Sequence, residues 1–293
     1  MRVGFIGIGV MGWPMASNIL KGGHELTVFD LDREAAQRFT QDVGGKAADS
    51  IAELAGAQVV VTMLPTSKHV RQALTEAEGG AFLKAIQAGL VVIDMSSSEP
   101  GDTRKLGPVL AERGAVLIDA PVSGARPRAI TGTLALMIGG EDEAAIEKAT
   151  PVLQCMGDRL FRTGPLGSGH AMKCLNNYVA AAGFAAACEA LLIGQRFGLD
   201  GELMTDILNV STGKNFATEH VIKQHILSGS FSSGFTLGLM TKDVTIAADL
   251  GEQMNLDAPV SRLVRERLIQ ARETLGGGRD NSAAILAWSE DLG

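Results

Sequence analysis

Arg2-Val3-Gly4-Phe5-Ile6-Gly7-Ile8-Gly9-Val10-Met11-Gly12 opens the chain and decides its fold. An apolar strand runs into glycines at 7, 9 and 12, and Pro14-Met15-Ala16-Ser17-Asn18-Ile19-Leu20 then reads as a helix. In a strand–turn–helix unit each glycine has its own task. Gly7 makes the tight turn, Gly9 lets the backbone approach a pyrophosphate, and Gly12 lets helix and strand pack closely. The pyrophosphate then meets the positive N-terminal end of the helix. The second strand, Leu26-Thr27-Val28-Phe29-Asp30, ends in a carboxylate 18 residues after Gly12. A carboxylate there binds both ribose hydroxyls and repels a 2′-phosphate, so NAD is the expected cofactor. Arg33 stands close enough to hold a 2′-phosphate, which leaves NADP open.

Outward from this unit, short apolar runs at 3–8, 26–30, 59–64, 90–95, 116–120 and 134–138 alternate with helical patterns. Such alternation means βαβ units and a mostly parallel sheet covered by helices. It ends around 161–165. Beyond that point the periodicity is helical only, over 169–197, 202–210, 217–227, 237–254 and 259–275, with Gly/Ser clusters at 228–230 and 276–278. The expected fold class is α/β: a doubly wound Rossmann sheet domain over residues 1–164, then an all-helical substrate and dimerisation domain over 165–293. A long Ala-rich helix is expected to join them, and its small side chains permit close packing against other helices, including those of a second subunit.

Composition narrows the function. The 293 residues suffice for two domains, and the net charge of −7 is spread along the chain. No basic stripe marks a nucleic-acid or membrane-surface binder. Cys155, Cys174 and Cys188 are odd in number and lack metal-ligand spacing, so no metal site is expected and a reducing cytoplasm fits. The first residues read as a strand rather than a signal peptide. The Ala-rich run 179–194 contains Glu189 and lies between Lys173 and Arg196, so it reads as a buried helix rather than a membrane span.

Chemistry concentrates in Gly167-Ser168-Gly169-His170-Ala171-Met172-Lys173-Cys174-Leu175-Asn176-Asn177. In a helix, Lys173, Asn176 and Asn177 fall on one side, because positions i, i+3 and i+4 are neighbours. An ammonium and two carboxamides aimed at one point suit proton transfer to a substrate oxygen. Ligands of open α/β sheets bind outside the carboxyl ends of the strands. Three such ends are distinctive here: Met63-Leu64-Pro65, Asp94-Met95-Ser96-Ser97-Ser98 and Asp119-Ala120-Pro121-Val122-Ser123-Gly124. Ser123 with Gly124 offers a hydroxyl and bare N–H groups, a nest suited to a carboxylate. None of the five histidines pairs with a nucleophile; His170 is expected to cap or line the helix start, and Cys174 to be a small buried hydrophobe. By composition alone, Lys242-Asp243 reads as an exposed helix face.

Together the motifs resemble the 3-hydroxyisobutyrate dehydrogenase (β-hydroxyacid dehydrogenase) family over essentially the whole chain. Residues 5–12 look like its cofactor signature. Asp119 to Gly124, with Gly132-Thr133-Leu134 downstream, looks like its substrate signature; 167 to Lys173 and Asn176 looks like its catalytic signature; and Lys242-Asp243-Val244 looks like its C-terminal cofactor-side signature. One departure is Ala125, where the family usually has a second glycine; Ala125, Arg126, Pro127 and Arg128 border the expected substrate loop.

The resemblance implies reversible hydride transfer between NAD and a short 3-hydroxy acid, giving the semialdehyde. Lys173 becomes the general acid/base, Asn177 and Asn176 orient it, and Ser123, Gly124 and Ala125 form the carboxylate loop. The cofactor is expected on Gly7, Gly9, Val10, Met11, Gly12, Asp30, Met63, Leu64, Pro65, Ser97 and Lys242. No metal is needed. Homodimers or homotetramers are implied. The alternatives are an NADPH-preferring reductase of a tartronate-, succinic- or sulfolactaldehyde-type semialdehyde, and a non-catalytic dinucleotide-binding scaffold. A 6-phosphogluconate-type decarboxylating enzyme needs a longer helical domain, and imine reductases typically lack the lysine.

Overall fold

The computed structural model describes residues 1–290. They form two compact units that divide between Lys173 and Cys174. The first contains nine strands: β1 Arg2–Ile6, β2 Glu25–Phe29, β3 Lys46–Ala47, β4 Val59–Thr62, β5 Val91–Asp94, β6 Val116–Asp119, β7 Val122–Ser123, β8 Leu134–Gly139 and β9 Gly157–Gly164. Its helices are α1 Gly12–Lys21, α2 Arg33–Asp42, α3 Ser67–Arg71, α4 Ala77–Ala85, α5 Pro100–Ala111, α6 Ala125–Thr131 and α7 Glu143–Met156.

The sheet order is β3-β2-β1-β4-β5-β6-β8-β7, with β9 paired to β8. β1 to β6 run parallel, β8 is antiparallel to β6 and β7, and β9 is parallel to β8. Strand order reverses between β1 and β4, which opens a crevice at their carboxyl ends. The central strands β4, β5 and β6 are almost wholly apolar because both faces are covered. Val3, Phe5, Val59, Val61, Val91, Ile93 and Ile118 face one core, and Ile6, Val60, Val92 and Leu117 face the other. The parallel register sets Ile6, Thr62, Asp94 and Asp119 side by side at one edge, where the loops of interest begin.

β9 lies outside the apolar runs. Its residues are mostly exposed, and pairing with β8 rather than burial makes it a strand.

Helix α8, Ser168–Phe197, begins in the first unit and continues into the second. At 30 residues it is long and apolar enough to cross a bilayer by length and composition, with 44% of its apolar window buried. The second unit adds α9 Gly201–Asn209, α10 Phe216–His220, α11 Leu237–Gln253, α12 Pro259–Leu275 and α13 Ala284–Glu290. Phe184, Cys188, Leu191, Val244, Leu268 and Trp288 form its core. The expected helix over 217–227 is broken at Val221, whose φ of −120° separates α10 from a wider π-helical stretch, Ile222–Leu227.

Candidate active site

The three N-terminal glycines are needed for different reasons. Gly7 has φ +101°, and a Cβ there would lie 2.4 Å from the Met63 carbonyl oxygen. A Cβ at Gly12 would lie 1.9 Å from the Gly7 carbonyl oxygen. The protein itself therefore demands both. At Gly9 a Cβ would meet nothing within 4 Å. The protein itself does not demand glycine there, and the open space leaves room for close approach of a pyrophosphate. Helix α1 also starts without a side-chain cap; Trp13 N and Met15 N donate to the Gly9 and Met11 carbonyls and Pro14 has no N–H, so an anion here is met by the N–H groups that precede Trp13. Val10 is exposed and Met11 half-buried on this loop.

At the end of β2, Asp30 accepts hydrogen bonds from Ile8 N (2.7 Å) and Asp32 N (2.9 Å). These bonds fix the carboxylate beside the glycine loop and leave lone pairs for hydroxyl donors. Arg33, at the start of α2, is exposed and donates to the Asp49 carbonyl at 3.4 Å. The uncapped helix, the open space at Gly9 and the anchored Asp30 fit a dinucleotide.

The β4 and β5 ends are tied together. Leu64 N donates to Ser96 Oγ at 2.9 Å, between Met63 and Pro65. Buried Asp94 accepts from Thr62 Oγ1 (2.9 Å), Ser96 N (3.0 Å) and Ser98 Oγ (2.7 Å). Ser96 and Ser98 thus face inward, and Ser97 is the half-buried serine of the three. Ser123 and Gly124 are half-buried where β7 ends. Ala125 has φ +54°, a left-handed conformation that costs a residue with a Cβ roughly 1–2 kcal/mol. The Arg128 stem lies over Gly124, where a Cβ would be 2.6 Å from its Cδ. Arg126 and Arg128 are exposed.

The start of α8 is held by Asp119. Its Oδ1 accepts from Gly167 N (2.7 Å) and its Oδ2 from His170 N (2.8 Å). Lys173 follows one turn later and is half-buried. Asn176 Nδ2 donates to Asn177 Oδ1 at 3.2 Å, and Asn177 Nδ2 donates to Asp243 Oδ2 at 2.6 Å. Asp243 is 1% exposed, so the pair Lys242-Asp243 is not the exposed face that composition suggested. Lys242 Nζ lies 3.2 Å from the other carboxylate oxygen of Asp243, an ion pair without good hydrogen-bond alignment. Cys174 packs against Ile246 and Ala247, and burial first, then the Asp243 charge, pushes its thiol up to about 12. It is a buried hydrophobe, as expected.

Three aspartates with no role expected from the sequence hold these segments: Asp94 and Asp119 within the first unit, and Asp243 within the second. A signal exists for the first two. Each ends an apolar strand, and a buried charge must find partners.

Comparison with known proteins adds independent findings. A family model described as the NAD binding domain of 6-phosphogluconate dehydrogenase matches residues 2–164. One described as NAD-binding of NADP-dependent 3-hydroxyisobutyrate dehydrogenase matches residues 167–288. The chain is 36% identical to 2-(hydroxymethyl)glutarate dehydrogenase of Eubacterium barkeri, covering 100% of this chain and 96% of that one. It is 36% identical to 3-sulfolactaldehyde reductase of Escherichia coli, covering 97% and 94%. Among solved structures, Mycobacterium tuberculosis 3-hydroxyisobutyrate dehydrogenase with L-serine superposes with a TM-score of 0.88 at 31% identity, covering 98% of both chains.

Proposed function

This chain belongs to the 3-hydroxyisobutyrate dehydrogenase family, and from that premise we propose which residues carry its reaction. It is an NAD(P)-dependent oxidoreductase of small hydroxy acids and their semialdehydes. The observation that carries the assignment is Lys173 on α8, one turn ahead of an Asn177 held by a buried carboxylate.

When bound, the nicotinamide supplies or accepts the hydride. Lys173 takes the hydroxyl proton during oxidation and returns a proton to the carbonyl oxygen during reduction. Asn177, fixed by Asp243, and Asn176, bonded to Asn177, orient the lysine and hydrogen-bond the substrate oxygen. Ser123, Gly124 and Ala125 hold the carboxylate. Gly7, Gly9, Val10, Met11 and Gly12 cradle the pyrophosphate, and Asp30 takes the ribose. Met63, Leu64, Pro65, Ser97 and Lys242 border the rest of the cofactor. Residues 1–164 act as the nucleotide domain and 165–293 as the substrate and assembly domain. A reducing cytoplasm suits Cys155, Cys174 and Cys188 as thiols.

The test is a panel of 3-hydroxyisobutyrate, glycerate, L-serine, threonate and a sulfonated analogue, each with NAD and NADP and read as reduced-cofactor absorbance. The free acid is expected to exceed its methyl ester by roughly ten- to hundredfold in kcat/KM, because a charge-assisted hydrogen bond is worth about 1.5–3 kcal/mol. Equal turnover of acid and ester removes the carboxylate role of Ser123 and Gly124. NAD is expected to exceed NADP, with Asp30→Ser narrowing the gap. A higher kcat/KM with NADP makes exposed Arg33 the determinant and favours the NADPH-linked reductase reading.

Exposed apolar side chains of the second unit support assembly through it. Leu203 and Ile207 on α9, with Val210 just after its end, form one exposed apolar stripe, and Ile193 and Phe197 another on α8. Stripes of this kind on a water-soluble helix mark an interface, which we assign to a second copy of the chain. Ile207→Asp is expected to shift sedimentation from dimer or tetramer to monomer; an unchanged distribution places the interface elsewhere.

A further inference from the structure

We propose that Asp119 and His170 are positioning residues for hydride transfer, locking the first turn of α8, and with it Lys173, to the strand ends that carry Ser97 and Ser123. The proposal rests on the acid/base reading of Lys173.

Asp94 and Asp119 are the last residues of adjacent parallel strands and stand in register. They are 2% and 0% exposed. Neighbouring strands lie about 4.8 Å apart, so two carboxylates meet side by side in the interior. Buried charges are retained only with dedicated partners. Asp94 spends its oxygens on Thr62, Ser96 and Ser98, which shapes the loop bearing Ser97. Asp119 spends its oxygens on the N–H groups of Gly167 and His170. The first N–H groups of any helix lack partners within it, and Pro165-Leu166-Gly167 offers no side-chain acceptor. The cap of α8 therefore comes from β6, and that strand leads four residues later to Ser123. One carboxylate fixes both the catalytic helix and the root of the substrate loop.

The His170 side chain, fully buried, is inserted between the two aspartates. Its Nδ1 lies 2.8 Å from Thr103 Oγ1 and 3.8 Å from Asp119 Oδ2; its Nε2 lies 3.7 Å from Asp94 Oδ2 and has no hydrogen-bond partner. The ring spans the cofactor-side network and the helix cap. Two glycines make the fit close. A Cβ at Gly169 would lie 2.1 Å from the Met137 carbonyl oxygen and 2.8 Å from Asp119 Oδ2, and one at Gly139 would lie 2.4 Å from Asp119 Oδ1. The first turn of α8 thus has one seat. Lys173 is three residues beyond His170, about 4.5 Å along the axis at 1.5 Å per residue. An error of about 1 Å in the place of a reacting group can cost on the order of 10²-fold in rate.

The experiment compares wild type with Asp119→Ala, Asp119→Asn, His170→Gln and Lys173→Arg. The substrate is whichever of sodium 3-hydroxyisobutyrate and L-serine is turned over faster with NAD. Asp119→Ala is expected to lower kcat at least tenfold while NADH affinity, read by fluorescence titration, and KM for NAD stay within threefold of wild type. The primary isotope effect with C3-deuterated substrate should rise. Asp119→Asn, which keeps one acceptor oxygen, should recover part of the rate, and His170→Gln should lose three- to tenfold. Hydrogen exchange at the amides of residues 167 and 170 should speed up at both in Asp119→Ala, at one in Asp119→Asn, and at neither in His170→Gln or Lys173→Arg. If Asp119→Ala does not fold, Asp119→Asn and His170→Gln carry the test. Wild-type kcat in these variants, or a loss of kcat matched by equal losses of NADH binding and Tm, overturns the positioning role. An active Lys173→Arg overturns the acid/base reading instead, whatever Asp119 does.

Discussion

Lys173→Ala is expected to lose about 10²–10⁴-fold in kcat, the usual contribution of a general acid/base, while binding NADH as wild type does. The glycine loop, Asp30 and the β4 and β5 ends are untouched by the change, so cofactor affinity isolates the chemical step. Lys173→Arg should be nearly as inactive. A guanidinium keeps the positive charge but does not give up its proton usefully near neutrality. In the oxidative direction the wild-type rate should climb as pH rises, because only the neutral amine accepts the hydroxyl proton; the arginine variant should lack that limb. The competing idea is that Lys173 serves only as a fixed charge for the carboxylate. Activity of Lys173→Arg within tenfold of wild type, with an unchanged pH profile, would establish that idea and remove the acid/base role.

The second large effect separates two glycines three residues apart. Gly12→Ala places a methyl 1.9 Å from the Gly7 carbonyl oxygen, and neither backbone moves cheaply. Overpacking typically costs about 1–3 kcal/mol and sometimes more. At about 2–4 °C per kcal/mol for a domain of this size, Tm should fall by several degrees. NADH binding should fall with it, because α1 is pushed off its turn. Gly9→Ala meets nothing in the protein, so Tm should hold within about a degree by the same scale. Its methyl stands where the pyrophosphate approaches, so NADH affinity should drop tenfold or more. Calorimetry and fluorescence titration read both variants. Wild-type NADH affinity in Gly9→Ala would place the dinucleotide elsewhere.

What the sequence disclosed follows from how far apart the determinants lie. β1, β2, β4, β5 and β6 were legible because strands covered on both faces must be apolar end to end. The glycines, Asp30 and the spacing of Lys173 to Asn177 were legible because a turn, a strand end and a helix face are local. β9 was not, since its residues carry no apolar alternation and its strand state comes from β8. The break at Val221 was hidden inside an apolar helical pattern. The carboxylates were hidden for a related reason. Asp119 meets its partners across 48 and 51 residues of sequence and Asp243 across 66, and no window of periodicity reaches that far. The family resemblance named the segments containing these residues without saying what they hold.

Two of the strands that pair on one side only, β3 and β9, do not welcome another. β3 is two exposed residues long and carries Lys46. β9 presents Asp158, Arg159 and Arg162, with Arg162 forked onto Glu143 of α7 at 2.8 and 2.6 Å. Short or charged edges resist strand addition, the common route by which exposed sheets recruit further copies into aggregates. A parallel sheet that folds slowly through distant pairings is most vulnerable to that route. With these edges blunted, the assembly proposed above would use helical surfaces, where contacts saturate once a closed oligomer forms instead of propagating.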